Sequence, residues 1–301
     1  MSRTKMDSNF YYPDIGHNDG IVPYVGGKAG LIGHIVPLID YAIRSYGLEE
    51  FHELCGGGAR MLLNLPFTHL NKRVYNDIDT GMATLFYCCS NFELLYQLKK
   101  ILAQKRIGKD VFEEAKQRCD KGILGEDSYD IVTAAASAYI TILQSEMSLQ
   151  EVYKKHLEQQ TYLNRVYRLH EFNSTLKGID VTNNDVFNIL TTDYDWSKSF
   201  IYLDPPYHPE AMASKKHYRV NWKKEKHDLL VELLLELPLG KVALSGLDNS
   251  SYVQLEEAGW KKIYLKNLRV KMSRNGLYQM EQIWINFDIP PLLEAQVREC
   301  K

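Results

Sequence analysis

The sequence contains no run approaching the roughly eighteen consecutive apolar residues of a membrane span. Its polar start, Met1 to Asn9, has none of the apolar stretch of a secretory leader. No membrane partner is therefore expected, and the cytoplasm is the expected location. The five cysteines (Cys55, Cys88, Cys89, Cys119 and Cys300) form no C-x-x-C pair, and the nine histidines include no H-E-x-x-H. Nothing resembles a zinc framework, so no metal is expected and the thiols are read as reduced. Basic residues are not in excess: 36 Lys and Arg against 38 Asp and Glu give a net charge of -2. That excludes a protein coated in positive charge. It leaves room for clustered cations, because local fields rather than totals attract phosphates. With no internal repeat or low-complexity tract, organisation must be read from changes in hydrophobic period.

What is present is 301 residues of ordinary globular composition, 45% hydrophobic, enough for one large domain or a domain carrying an insertion. Residues 20–80 alternate apolar runs with glycine turns: a helical pattern over Leu31–Tyr46, then Glu50–Leu54 leading into Gly56-Gly57-Gly58, then Lys72–Asn76 leading into Asp77. Strand, glycine turn, helix, strand and acid is the order of a nucleotide-type α/β unit. Residues 82–178 change character, with Glu93–Gln104, Asp110–Asp120, Asp130–Gln144 and Leu149–Leu169 all reading as helices of a separate subdomain. From 179 the alternation returns: strands at Ser199–Leu203 and Lys241–Leu247, helices at Lys224–Leu237 and Ser250–Ala258. Two further runs, Lys262–Lys271 and Met280–Phe287, flank Arg274-Asn275-Gly276, whose Asn-Gly pair is a hairpin signal. The expected fold is α/β, a mostly parallel sheet with an antiparallel edge.

The chemistry concentrates in Asp204-Pro205-Pro206-Tyr207. Two prolines fix φ and remove two backbone donors, so the segment must leave the strand as a stiff turn at its carboxyl end, where open α/β sheets bind ligands. The turn offers the Asp204 carboxylate, the Pro205 carbonyl and the Tyr207 ring. A planar exocyclic amine such as adenine N6 suits two acceptors and a ring, because its lone pair must be localised before it can attack a methyl group. A proline-stiffened connector would carry the same residues.

Small residues after Glu53-Leu54-Cys55 allow a cofactor to approach the backbone, and Asp77 stands about 20 residues on, the usual offset for an acid that binds ribose hydroxyls. The dinucleotide pattern fails, since its third glycine would fall at Met61. A P-loop fails as well, with Val22 and Ala29 at positions that need Gly and Ser or Thr. In Pro23-Tyr24-Val25-Gly26-Gly27-Lys28, Tyr24 offers a ring and Lys28 a charge suited to a ligand carboxylate, such as that of a methionine moiety.

Together these motifs resemble the Dam-like adenine-N6 DNA methyltransferases of bacteria and phages, the α group, over most of residues 20–288. The resemblance implies a Rossmann-like S-adenosylmethionine-dependent methyltransferase sheet with an inserted helical target-recognition domain. The catalytic domain would comprise residues 1–81 and 179–301, and the insertion residues 82–178. It implies S-adenosyl-L-methionine as cofactor, held by Tyr24, Gly27, Lys28, Glu53, Leu54, Gly56, Gly58, Asp77, Asp185 and Val186. Asp204, Pro205, Pro206 and Tyr207 would be catalytic, acting on a flipped adenine in double-stranded DNA. Leu54 departs from the Phe common in the family, and Ala138–Leu149 lacks a Phe-Asn-Gly element of GATC-specific members. DNA phosphates are assigned to Lys215, Lys216, Arg219 and Lys223, beside the catalytic turn, with a second basic set around the hairpin; solvated lysines would look the same. A monomer or weak dimer is expected. An RNA or protein amine methyltransferase and a catalytically silent DNA-binding paralogue are the alternatives.

Overall fold

The computed structural model describes residues 20–24, 27–66, 70–120, 131–154, 157–212, 220–271 and 278–299. The elements follow in the order α1 (Ile32–Ser45), β1 (Glu50–Leu54), β2 (Lys72–Asn76), α2 (Thr80–Ser90), α3 (Phe92–Gln104), α4 (Lys109–Asp120), α5 (Ile131–Leu143), α6 (Gln159–Arg168), α7 (Asn173–Leu176) and β3 (Asp180–Thr182). They continue with α8 (Val186–Leu190), β4 (Ser199–Leu203), α9 (Lys224–Glu236), β5 (Lys241–Gly246), α10 (Val253–Glu257), β6 (Lys261–Lys271), β7 (Tyr278–Ile285) and α11 (Pro291–Glu299).

The seven strands form one sheet in the order β3-β2-β1-β4-β5-β7-β6. β3, β2, β1, β4 and β5 are parallel, while β7 runs antiparallel to both β5 and β6. This is the parallel sheet with an antiparallel edge expected from the sequence. The Arg274-Asn275-Gly276 turn itself lies outside the described residues.

The central strands read as near-continuous apolar runs because both faces are covered. Their side chains still alternate between two cores. Phe51, Phe200, Tyr202, Ala243, Ile283 and Ile285 enter the cluster shared with α1 and α11, whereas Leu54, Ile201, Leu203, Val242, Leu244 and Trp284 enter the cluster with α9 and α10. A one-residue slip of any strand would exchange these faces, so the pattern fixes the register.

The helical stretch from α2 to α7 does not have a core of its own. α5 is buried from Ala134 to Leu143, and its side chains join Met82, Leu85 and Phe86 of α2, Tyr75 of β2 and the α1 residues in one cluster. Tyr75 and Phe86 stack with ring centroids 4.1 Å apart, clamping β2 to α2. Residue 82, where the sequence divides the chain, lies inside α2, whose N-terminus is capped by Asp79 through Gly81 and Met82.

One helix differs from expectation. Leu149–Leu169 is not continuous, since α6 begins only at Gln159. Ser148 and Gln150 adopt φ of 58° and 60°, and Ser145 bridges Tyr153. The Gln150 amide donates to Ser145 Oγ at 3.0 Å. Such local polar bonds offer the backbone an alternative to the helix ladder.

Because sheet and helices share this core, urea unfolding should be a single transition. Phe86→Ala, which empties the β2–α2 clamp, should lower its free energy by about 3–5 kcal/mol without splitting it. A separate early transition of the helices would contradict the shared core.

Candidate active site

Register builds the site. Leu54 ends β1 opposite Asn76 of β2 on one side and Leu203 of β4 on the other. The next residues of the three strands, Cys55, Asp77 and Asp204, therefore leave the sheet at one level, with the glycine loop between the two acids. Strand order reverses here, β2 and β4 lying on opposite sides of β1, which makes this the switch-point crevice of an open α/β sheet.

The loop after β1 turns through left-handed backbone at Cys55 (φ 58°), Gly57 (φ 48°) and Ala59 (φ 49°). Two of these carry side chains, a strain of roughly 1–3 kcal/mol each that surrounding bonds must hold. The Gly56 amide donates to the Asn76 carbonyl at 2.8 Å, the Gly57 amide to Asp77 Oδ2 at 2.7 Å, and the Tyr75 hydroxyl to the Gly57 carbonyl at 2.9 Å. A Cβ on Gly56 would lie 2.4 Å from the Tyr75 ring, and one on Gly57 2.6 Å from the Tyr24 ring. The glycines thus let two aromatic rings close on the loop. They do not open a regular helix, as the sequence had implied. Residues 60–64 form successive turns, held by Glu53, which accepts from the Met61 and Leu62 amides at 3.3 and 2.6 Å.

A cleft of about 900 Å³, open mouth included, joins these elements. It is lined by Tyr24, Gly27, Lys28, Glu53, Gly56, Gly58, Asp77, Asp185, Val186, Asp204, Pro205 and Pro206 among the residues singled out from the sequence. Leu54 is not part of that wall; it is fully buried among the apolar side chains beneath it. Tyr207 is also withdrawn into a small cluster with Ala211 and Leu247. Asp204 and the two prolines stand at the cleft wall in front of it.

Lys28 is the largest departure. Its ammonium, expected to face a ligand carboxylate, instead meets Asp204 Oδ1 at 2.7 Å and Glu281 Oε1 at 3.3 Å, and stands 5.0 Å from the centre of the Tyr207 ring. Burial alone would lower the Lys28 pKa, but Asp204 and Glu281 outweigh it and hold the ammonium charged well above the usual lysine range. Burial raises Asp204 in turn, against the pull of Lys28. Burial also lifts Asp77 to about 7, helped by the charge of Asp79 and opposed by the amides of Asp79 and Gly57. Glu53 is lifted to about 8 by burial, opposed by its two backbone bonds.

At the far end Asp185 caps α8 through the Phe187 amide and pairs with Lys226 at 3.3 Å. Sequence reasoning had not singled out Trp222, which lines this end with Val220 and packs 5.1 Å from the Phe187 ring. Arg60, whose guanidinium donates to the Val22 carbonyl at 3.4 Å, and Glu281 were likewise missed. Glu281 had a signal, an acid in step with the inward Ile283 and Ile285. Of the assigned phosphate contacts, Lys223 is exposed at the start of α9, while Lys215, Lys216 and Arg219 lie outside the described residues. The second basic set is partly spent: Lys261 pairs with Glu294, and Lys262 pairs with Asp248 and with Glu256 at 3.1 Å.

A glycine loop, an acid after the second strand and an Asp-Pro-Pro-Tyr turn after the fourth, on this sheet, define the class: a Rossmann-like methyltransferase. The model of the D12 class N6 adenine-specific DNA methyltransferases matches residues 24–272, and the chain belongs to that family. No curated protein sequence matches it.

The closeness of the Tyr75 ring gives a direct test. Gly56→Ala should destabilise the protein by about 1–3 kcal/mol through overpacking, read by urea denaturation. An unchanged midpoint would show that the ring yields freely.

Proposed function

We propose that this DNA adenine-N6 methyltransferase acts on an adenine swung out of duplex DNA, with the cleft between Tyr24, Asp77 and Asp185 holding S-adenosylmethionine. The observation that carries the reading is the alignment of Asp77 and Asp204 on either side of the glycine loop. The residues present fit this cofactor. Glu53, Asp77, Asp79, Asp185 and Asp204 line the cleft beside Lys28, Arg60 and Lys226, which gives carboxylate acceptors suited to a nucleoside cation bearing hydroxyls. When bound, the cofactor supplies a methyl group on a sulfonium, an electrophile for an amine.

Each residue then has a task. Asp77 accepts hydrogen bonds from ribose hydroxyls at the edge of the glycine loop. Asp185 and the backbone at Val186 read the cofactor adenine, and Trp222 supplies the ring wall that Leu54 does not. Tyr24, Gly27, Gly56 and Gly58 shape the floor, and Glu53 fixes its turns. Lys28 keeps Asp204 in place. Asp204 and the Pro205 carbonyl accept hydrogen bonds from the two N–H groups of the target amine, drawing its lone pair out of conjugation with the ring. Tyr207, fixed by its hydroxyl, backs the base. A duplex hides N6 in the stack, so extrusion at a cost of a few kcal/mol precedes chemistry. Helices within 82–178 are the target-recognition part, since base readout needs side chains aimed at groove edges. Lys215, Lys216, Arg219 and Lys223 anchor phosphates beside the turn.

Labelled methyl transfer into duplex DNA, single-stranded DNA, RNA and protein tests this. N6-methyladenine in duplex DNA is expected, and its loss in Asp204→Ala with cofactor affinity within a few fold. Transfer to RNA or protein alone, or near wild-type transfer by Asp204→Ala, would overturn it.

The raised carboxyls give a pH dependence of defined sign. At pH 6 Asp77 and Glu53 hold protons in the free protein, since their pKa values stand at about 7 and about 8. A cationic ligand with hydroxyl donors favours their ionised forms, so binding releases protons and affinity must rise from pH 6 to pH 8. Calorimetry in buffers of different ionisation enthalpy should show this release, and less of it for S-adenosylhomocysteine, which lacks the sulfonium charge. Affinity that falls over this range would exclude these carboxyls from the cofactor site.

A further inference from the structure

β7 is the antiparallel strand between β5 and β6, remote in sequence from the glycine loop and the Asp-Pro-Pro-Tyr turn, yet it sends one charged side chain into the catalytic end of the cleft. Glu281 is fully buried. Its Oε2 accepts the Tyr207 hydroxyl at 2.7 Å, and its Oε1 stands 3.3 Å from the Lys28 ammonium, which also meets Asp204 at 2.7 Å. One cation is thus shared between two carboxylates, one presented to the cleft and the other sealed behind it. A buried carboxylate is expensive even when paired, and an apolar residue would pack this strand position at lower cost. The inward neighbours Ile283 and Ile285 show what the sheet itself asks for.

We propose that Glu281 is a positioning residue for methyl transfer, which holds Lys28 and Tyr207 from behind and sets how strongly Lys28 bears on Asp204. The inference rests on the reading of Asp204 to Tyr207 as the catalytic turn. Its geometry is specific: the Tyr207 side chain cannot swing away without giving up the bond to Glu281, and Lys28 cannot move toward Asp204 without leaving Glu281. The ionisable groups facing this cluster are Lys28 from the segment before α1, Asp204, Tyr207 and Tyr202 from β4 and its turn, Glu53 and Cys55 from β1 and its loop, and Tyr252 before α10. Tyr202 is engaged with Ser245 of β5 at 2.8 Å, and Leu265 lies opposite Glu281 on β6. Burial, with the charge of Asp204, raises Glu281 to about 6, while Lys28 opposes the rise. Near neutral pH it therefore competes with Asp204 for the ammonium as an anion.

The sign follows. Glu281→Gln removes one anion, Lys28 then serves Asp204 alone, and the Asp204 carboxyl becomes more acidic. The acid limb of the kcat–pH profile on duplex DNA should shift to lower pH. With the amide a poorer anchor for Lys28 and Tyr207, plateau kcat should fall tenfold or more, while KM for DNA, cofactor affinity and melting temperature stay close to wild type. Tyr207→Phe breaks the same contact from the other end and leaves the strand untouched. It should move the limb in the same direction by a smaller amount, and should cost less in the Glu281→Gln background than alone, as expected for groups that act as a unit. The proposal is overturned if neither variant moves the acid limb, if kcat falls only together with cofactor affinity and melting temperature, or if the two substitutions are additive. Asp204→Asn separates this from the underlying reading: an active Asp204→Asn enzyme would remove the catalytic turn itself, whatever Glu281 does.

Discussion

Three parallel strands end at one level, and the remaining features of the site follow from that alignment. Leu54 of β1 is paired with Asn76 and with Leu203, so the chain leaves all three strands together at the carboxyl edge. The same apolar alternation that seals the two cores holds this register, since a slip by one residue would turn Phe200 and Tyr202 away from the α1 side and swing Asp204 off the cleft. Core packing and placement of the reactive groups are therefore one specification.

Electrostatics imposes the second constraint. The cleft concentrates carboxylates, and Lys28 is placed where it offsets Asp204. Burial of such a set works against stability, because desolvation of ions is repaid only by good geometry and full pairing. The chain bears that cost at the carboxyl edge, to which β7 adds the buried Glu281, whereas the ion pairs of Lys261 and Lys262 remain partly exposed. Carboxylates and cations share this lining, since Lys28, Arg60 and Lys226 stand there with the acids. Lys223, just before α9, is exposed.

How much of this was legible in the sequence depends on range. β1, β2, β4 and β5 show within a residue or so because each is a short apolar run closed by a turn signal, and the D-P-P-Y turn declares itself through its prolines. The short β3 and α8 have too few residues to set a period and were not separated from their surroundings. The break before α6 depends on Ser145 reaching Gln150, and the irregular turns after the glycine loop on Glu53 reaching Met61 and Leu62; periodicity is blind to such bonds. The role of Lys28 was hidden for a stronger reason. Its partner Tyr207 is 179 residues away, and Glu281 farther still, so the charge could be seen but not what it would face.

The site is also unevenly held. On one side, the Asp204–Tyr207 turn is bound to β7 through Glu281 and to the segment before α1 through Lys28, and the strand that leads into it is bound to β5 through Tyr202 and Ser245, all with buried partners. On the other side, the stretch from Val220 to Lys226 lines the cleft with Trp222 and carries the Lys226–Asp185 pair, whose side chains are 46% and 33% exposed. An exposed pair of this kind contributes about 0–1 kcal/mol, far less than the cost of breaking a buried one. Burial of Trp222, whose ring packs against Phe187 at 5.1 Å and His227 at 5.3 Å, does more to hold this wall than its ion pair. Acceptors fixed by buried partners suit methyl transfer, in which the angle between amine and methyl group must be set before either atom moves.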